Sequence, residues 1–198
     1  MNTLIIFIKN PIKGKVKTRL ANTVGDDKAL AIYSQLLERT RKITQNIDCK
    51  KYLFYSDFVD EQDDWDNSTF IKCLQKGVDL GERMLNAFKL VFEQNNNSKA
   101  IIIGSDCAAL TDKIVEKGFL ALQEKDFVIG PSNDGGYYLL GMNFLFETLF
   151  NNKVWSTESV LEDTENDIKM AGHTFEKLEA LTDIDLEEDL IELEHLNS

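Results

Sequence analysis

Short apolar runs alternate with long amphipathic ones along this chain, and that alternation restricts the fold more than any other feature. "TLIIFI", "KKYLFYS", "KAIIIGSD" and "DFVIGP" are nearly continuous runs of β-branched, aromatic and aliphatic residues. Such runs form strands buried on both faces of a parallel sheet. Between them, "DDKALAIYSQLLERTRKI" places Leu30, Tyr33, Leu37 and Ile43 near helical spacing, and "LGERMLNAFKLVFEQ" does the same with Met84, Phe88 and Val91 before the loop "NNNS". Asp26 and Asp27 suit the positive end of the first helix, and Thr111 or Asp112 would cap a third, "TDKIVEKGFLALQE". "FIKCLQ" reads as a further short strand behind the acidic connection "DFVDEQDDWDNST". The expected fold is α/β, three layers around a mostly parallel sheet with right-handed crossovers. One stretch breaks the alternation: "DFVIGPSNDGGYYLLGM" joins two strands through "SNDGG" with no room for a helix, which predicts one local antiparallel strand.

The 198 residues carry no linker rich in Pro, Gly or Ser, so residues 1–198 are expected to form one domain. A net charge of -12 opposes binding to DNA or RNA, because the phosphates of a nucleic acid would be repelled outside a local basic patch. No apolar run reaches membrane-spanning length and the start lacks the pattern of a signal peptide, so a cytosolic protein without membrane insertion is expected. Cys49, Cys73 and Cys107 form neither a CxxC pair nor an even framework and read as free thiols. His173 and His195 are too few for a histidine metal site and read as incidental.

Against this acidic background, "KNPIKGKVKTRLA" concentrates Lys9, Lys13, Lys15, Lys17 and Arg19 between the first strand and the first long helix. A basic, glycine-containing loop at that junction is where α/β proteins hold phosphates. The opposite charge is placed as pointedly. Asp106 follows "AIIIGS" at the carboxyl end of a central strand, where open α/β sheets bind ligands, and could hold a divalent ion bridging phosphates. Asp183 and Asp185, two apart in "LTDIDLEEDL", lie on the same side of an extended segment; Asp185 could instead cap a helix starting near Leu186. Anion clamp, carboxylates and a divalent cation together are the parts of polyphosphate chemistry.

In order, "KNPIKGKVKTRL", "QKGVDLGERMLNAF", "IIIGSDCAAL", "IGPSNDGGYYLLGM", "VWSTESVL" and "LTDIDLEEDL" resemble the bacterial DUF2064 family over nearly the whole chain. That family is described as glycosyltransferase-A-like and shares the nucleotide-diphospho-sugar transferase fold. The resemblance implies a transferase that takes a nucleotide or nucleotide-sugar and a small-molecule acceptor with Mg²⁺ or Mn²⁺. Carried onto this sequence, it makes Lys9, Gly14, Lys15, Lys17 and Arg19 the phosphate loop, with Lys17 and Arg19 the direct contacts. Gln75, Leu80 and Gly81 would read the base, Gly81 through a positive φ or a close backbone approach. Asp106 would be the metal aspartate, completed by Asp183 or Asp185. Asp134, Gly135 and Gly136 would approach the second substrate, Asp134 as an acceptor base or as a turn residue. Ala108 departs from the family's DxP pattern and from the Asp-x-Asp of many glycosyltransferases. Nucleotidyl transfer and glycosyl transfer stand level at this stage, and a noncatalytic nucleotide-binding protein is the alternative from another class.

Overall fold

The computed structural model describes residues 1–95 and 99–197; Asn96, Asn97 and Ser98 of the "NNNS" loop lie outside the described residues. The apolar runs become β1 (Asn2–Ile8), β2 (Lys50–Tyr55), β3 (Phe70–Leu74), β4 (Lys99–Ile103), β5 (Phe127–Pro131) and β6 (Tyr137–Met142), joined by a three-residue strand, β7 (Phe175–Lys177). Among the described residues they form one sheet in the order β3-β2-β1-β4-β6-β5-β7. Every pairing is parallel except those of β6, which runs antiparallel to both β4 and β5. The "SNDGG" turn is too short to return a strand in parallel, so β6 must reverse.

Alternate residues of β1 point to opposite faces, and each face has its own helices. Leu4, Ile6 and Ile8 pack with Tyr33 and Leu37 of α2 (Asp26–Gln45) and with Val115 and Phe119 of α4 (Asp112–Ala121). Ile5 packs on the other side with Met84, Phe88 and Val91 of α3 (Leu80–Gln94) and with Ile168 of α5 (Val160–Met170). Each fully buried aliphatic of this kind contributes about 1.5–3 kcal/mol, which holds the three layers together. Thr111 caps α4, its hydroxyl accepting from Ile114 N at 3.3 Å.

Two helices were not among the expected elements. α1 (Thr18–Val24) buries only Leu20, and α5 buries Val160, Thr164 and Ile168 on a narrow stripe of an otherwise polar helix. Near the C-terminus a 3₁₀ turn at Glu187–Asp189 precedes α6 (Leu190–Asn197), so the last α-helix begins later than Leu186. Among the described residues no helix is long and apolar enough to cross a membrane.

The chain leaves β1 toward β2 and β3 on one side and returns to β4 on the other. That reversal opens a crevice at the carboxyl ends of β1 and β4, the position from which a doubly wound sheet presents its ligand site.

Candidate active site

The crevice is a cleft of about 1230 Å³. Its first wall is the basic loop, which is tied down at its start. The Asn10 side chain accepts from Asp57 N and Phe58 N and donates to Phe58 O at 2.9 Å, fastening the loop to the end of β2. The Tyr33 hydroxyl accepts from Lys9 N at 2.7 Å and lies within reach of Lys9 O and Ser105 Oγ, fastening it to α2 and to the end of β4. Burial and then the Asp106 charge hold the Tyr33 phenol well above its usual range, so it stays neutral there.

The loop ends on Lys17, whose backbone is left-handed at φ 47° and ψ 45°. Few residues with a Cβ adopt this conformation unless their surroundings enforce it. Here it coincides with a lysine turned inward, its side chain only 3% exposed and its Nζ 2.6 Å from Asp106 Oδ1 and 3.1 Å from Asp185 Oδ1. Burial alone would lower the pKa of this ammonium, but the two carboxylates more than offset that and raise it. Arg19, on the first turn of α1, stays 68% exposed with Nη1 3.8 Å from Asp185 Oδ2. Lys9 also lines the cleft, whereas Gly14 and Lys15 do not, and Lys13 turns away to pair with Asp27 at 2.6 Å. Of the expected phosphate loop, Lys9, Lys17 and Arg19 are therefore brought to the site.

The carboxylates meet because residues 181–185 are stitched across the ends of the strands. Leu181 bridges to Ser132, Asp183 bridges to Cys107, and Ile184 N donates to Asp106 O at 2.9 Å. This brings Asp183 and Asp185 beside Asp106. Asp185 does not cap the final helix: Asp189 Oδ2 accepts from Asp185 N and Leu186 N, leaving the Asp185 carboxylate to Lys17. Burial, the Asp106 charge and smaller repulsions from Asp134 and Asp185, partly countered by Lys17, push the Asp183 carboxyl up to about 7. Burial pushes the neighbouring Cys107 thiol up to about 12, which leaves it inert.

Among the described residues no three acidic, histidine or cysteine side chains form a ready-made metal cage. The donor set nevertheless fits a hard divalent cation. All donors are oxygens, Mg²⁺ needs only one or two protein carboxylates, and Asp183 has no ion-pair partner among the described residues.

The base corner departs from expectation in detail. Gln75 Nε2 donates to Ile8 O and Phe54 O, so its amide hydrogens are already engaged between β1 and β2. Gly81 has no positive φ; it sits in the first turn of α3, where a Cβ would fall 2.2 Å from Trp155 Nε1. The close approach is thus made by an indole, and Leu80 stands exposed at the rim. Asp134 behaves as a turn residue, its Oδ1 accepting from Ser132 Oγ and Gly136 N, while Asp134 and Gly136 line the cleft. Gly135, at φ 87°, lies against the main chain of Glu158. Trp155, Tyr33 and Ser105 are site residues that carry no signal of charge or metal-ligating chemistry; only the "VWSTESVL" motif marked one of them.

Residues 39–157 match the model of the DUF2064 family, described as an uncharacterized protein conserved in bacteria. A search of curated proteins gives no match. Among solved structures, a protein from Desulfovibrio desulfuricans G20, provisionally described as a nucleotide-diphospho-sugar transferase, is 27% identical over 100% of this chain and 88% of its own, with a TM-score of 0.89. The 2-C-methyl-D-erythritol 4-phosphate cytidylyltransferase of Francisella tularensis is 14% identical, covers 98% and 99% of the two chains, and has a TM-score of 0.62. The inositol-1-phosphate CTP transferase from T. maritima is 16% identical over 99% and 94%, with a TM-score of 0.56. The fold is accordingly that of the nucleotide-diphospho-sugar transferases and cytidylyltransferases, and with its family model matching well over half of its length, the chain belongs to the DUF2064 family.

Proposed function

We propose that this protein is a nucleotidyltransferase that joins a nucleoside triphosphate to a small phosphorylated acceptor. The observation that carries the reading is the inward Lys17, bridging Asp106 and Asp185 at the carboxyl ends of the strands with Arg19 beside it. A triphosphate brings enough negative charge to draw on both cations at once, and the ammonium and guanidinium stand side by side at the cleft to offset it. An acceptor phosphate oxygen attacks the α-phosphorus; the new P–O bond forms as the bond to the β-phosphate oxygen breaks, and pyrophosphate leaves. Lys17 and Arg19 neutralise the charge that develops on the phosphates and orient them. Asp106 with Asp183 or Asp185 would hold Mg²⁺ or Mn²⁺, which when bound supplies Lewis-acid neutralisation of the polyphosphate. Asp134, engaged in its turn, positions Gly136 at the acceptor side. The two named cytidylyl- and CTP-transferases act with polyol phosphates, which supports a phosphorylated acceptor.

The test is to incubate the protein with each nucleoside triphosphate, a set of sugar and polyol phosphates and Mg²⁺ or Mn²⁺, and in parallel with nucleotide-sugars. Pyrophosphate release that requires both substrates and is lost in Lys17→Met supports the reading. Release of nucleoside diphosphate from a nucleotide-sugar would replace it with glycosyl transfer, and turnover of neither class would leave a binding protein.

A further inference from the structure

The "VWSTESVL" stretch has no part in the phosphate chemistry, yet it forms one wall of the cleft. It crosses the opening as a strap held at two glycines. A Cβ on Gly81 would fall 2.2 to 2.5 Å from three atoms of the Trp155 indole, and a Cβ on Gly135 would fall 2.2 Å from Glu158 O. Leu161 N donates to Gly135 O at 2.9 Å, and Thr157 Oγ1 donates to Val154 O at 2.7 Å. Asn152 and Ser156, on either side of Trp155, are both left-handed, at φ 56° and 62°. The indole packs in part against the core around α3 and also lines the cleft.

Trp155 is only half-buried, and its Nε1 donates to no protein group among the described residues. The Nε1 edge of the indole lies over Gly81, and the residue lines the cleft. At about 1230 Å³ the cleft exceeds the usual 300–1,000 Å³ of a single-ligand site, so a planar group can lie here while the phosphates lie at Lys17. The Gln75 amide hydrogens are already engaged with main chain. The indole gives this corner an aromatic surface on which a planar group can stack.

We infer that Trp155 is the stacking platform for the heterocyclic base of the nucleotide, presented over the first turn of α3 by the strap. The inference rests on the nucleotide reading above and deepens it by locating the base. The chain has two tryptophans, and the other, Trp65, is buried edge-on against Phe70, so Trp65→Phe isolates the Trp155 emission.

In that background, folded by circular dichroism, titration with ATP, GTP, CTP and UTP is compared with inorganic tripolyphosphate. Quenching of Trp155 by the nucleotides and not by tripolyphosphate is expected. Trp155→Ala should weaken the best nucleotide by roughly 5- to 150-fold, the span of one base stacked on one aromatic ring. Tripolyphosphate affinity should hold within about twofold, and Trp155→Phe should restore most of the loss. Equal losses for tripolyphosphate and nucleotide, or nucleotide saturation with no change in Trp155 emission, would overturn the inference and leave the phosphate reading standing. If neither tripolyphosphate nor any nucleotide bound the wild-type protein, the phosphate reading itself would fall and the stacking role with it. Should Trp155→Ala not fold, the quenching and the Trp155→Phe affinities decide alone.

Discussion

Replacing Asp183 by asparagine should stabilise the metal-free protein above neutral pH, and progressively less as pH falls toward 4. The Asp183 carboxyl titrates at about 7 in the folded protein against an ordinary 3.8, with burial the first cause and the Asp106 charge the second. A carboxyl raised in this way binds its proton more tightly folded than unfolded, so its favourable contribution is complete below pH 3.8 and is lost as pH rises toward 7. At about 1.4 kcal/mol per pH unit, that span sets a ceiling of about 4 kcal/mol. Partial contact with water reduces it to about 1–3 kcal/mol. The substituted amide removes the charge at nearly constant volume. In chelator, urea or thermal unfolding at about pH 8 should therefore show Asp183→Asn more stable than wild type, by about 2–4 °C in Tm per kcal/mol for a chain of this size. At about pH 5 the difference should shrink to less than half of its value at pH 8, and it should vanish only below about pH 3.8. A variant that is less stable at both pH values, or equally stabilised at both, would refute the picture of unbalanced carboxylates in the cleft.

Lys17→Met should weaken nucleoside triphosphate binding by about 1–3 kcal/mol in calorimetric titration, and Arg19→Ala by less, because Lys17 is buried against two carboxylates whereas Arg19 is mostly exposed. Gly81→Val drives a side chain into the Trp155 indole, so it should shift the strap and reduce nucleotide affinity at least about fivefold while moving Tm by only a few degrees. Cys107 should resist thiol reagents at about pH 8 in the folded protein and react once denaturant is added, as burial keeps its thiol protonated up to about 12.

The layers and the single reversed strand were readable because they depend on patterns a few residues long. "KAIIIGSD" can only be a buried strand, and "SNDGG" is too short for a crossover. α1 and β7 were not readable, because a seven-residue helix burying one leucine and a three-residue strand carry no period to detect, whereas α5 was missed although Val160, Thr164 and Ile168 recur at helical spacing, one of them a threonine among polar neighbours. At the site, charge marked Lys17, Arg19, Asp106, Asp183 and Asp185, which the fold gathers at one end of the cleft. Sequence could not show that Lys15 and Gly14 turn away, since adjacent residues on one loop carry the same signal and only the left-handed turn at Lys17 separates them. Nor could it choose between capping and the cleft for Asp185, a choice made by Asp189 taking the cap. Gly81 and Trp155 are distant in sequence, and their contact became visible only where the strap crosses the cleft.

The central claim is that nucleotide phosphates and a divalent ion assemble between the Lys17 loop and the Asp106 carboxylate. Water-proton relaxation of Mn²⁺, measured with and without nucleoside triphosphate for wild type, Asp106→Asn, Asp183→Asn and Asp185→Asn, addresses it directly. Weak Mn²⁺ binding that tightens at least about tenfold with nucleotide in wild type and loses that gain in Asp106→Asn is the expected result, with whichever of the other two variants also loses it naming the second ligand. Nucleotide-dependent Mn²⁺ binding of undiminished strength in Asp106→Asn would contradict the claim.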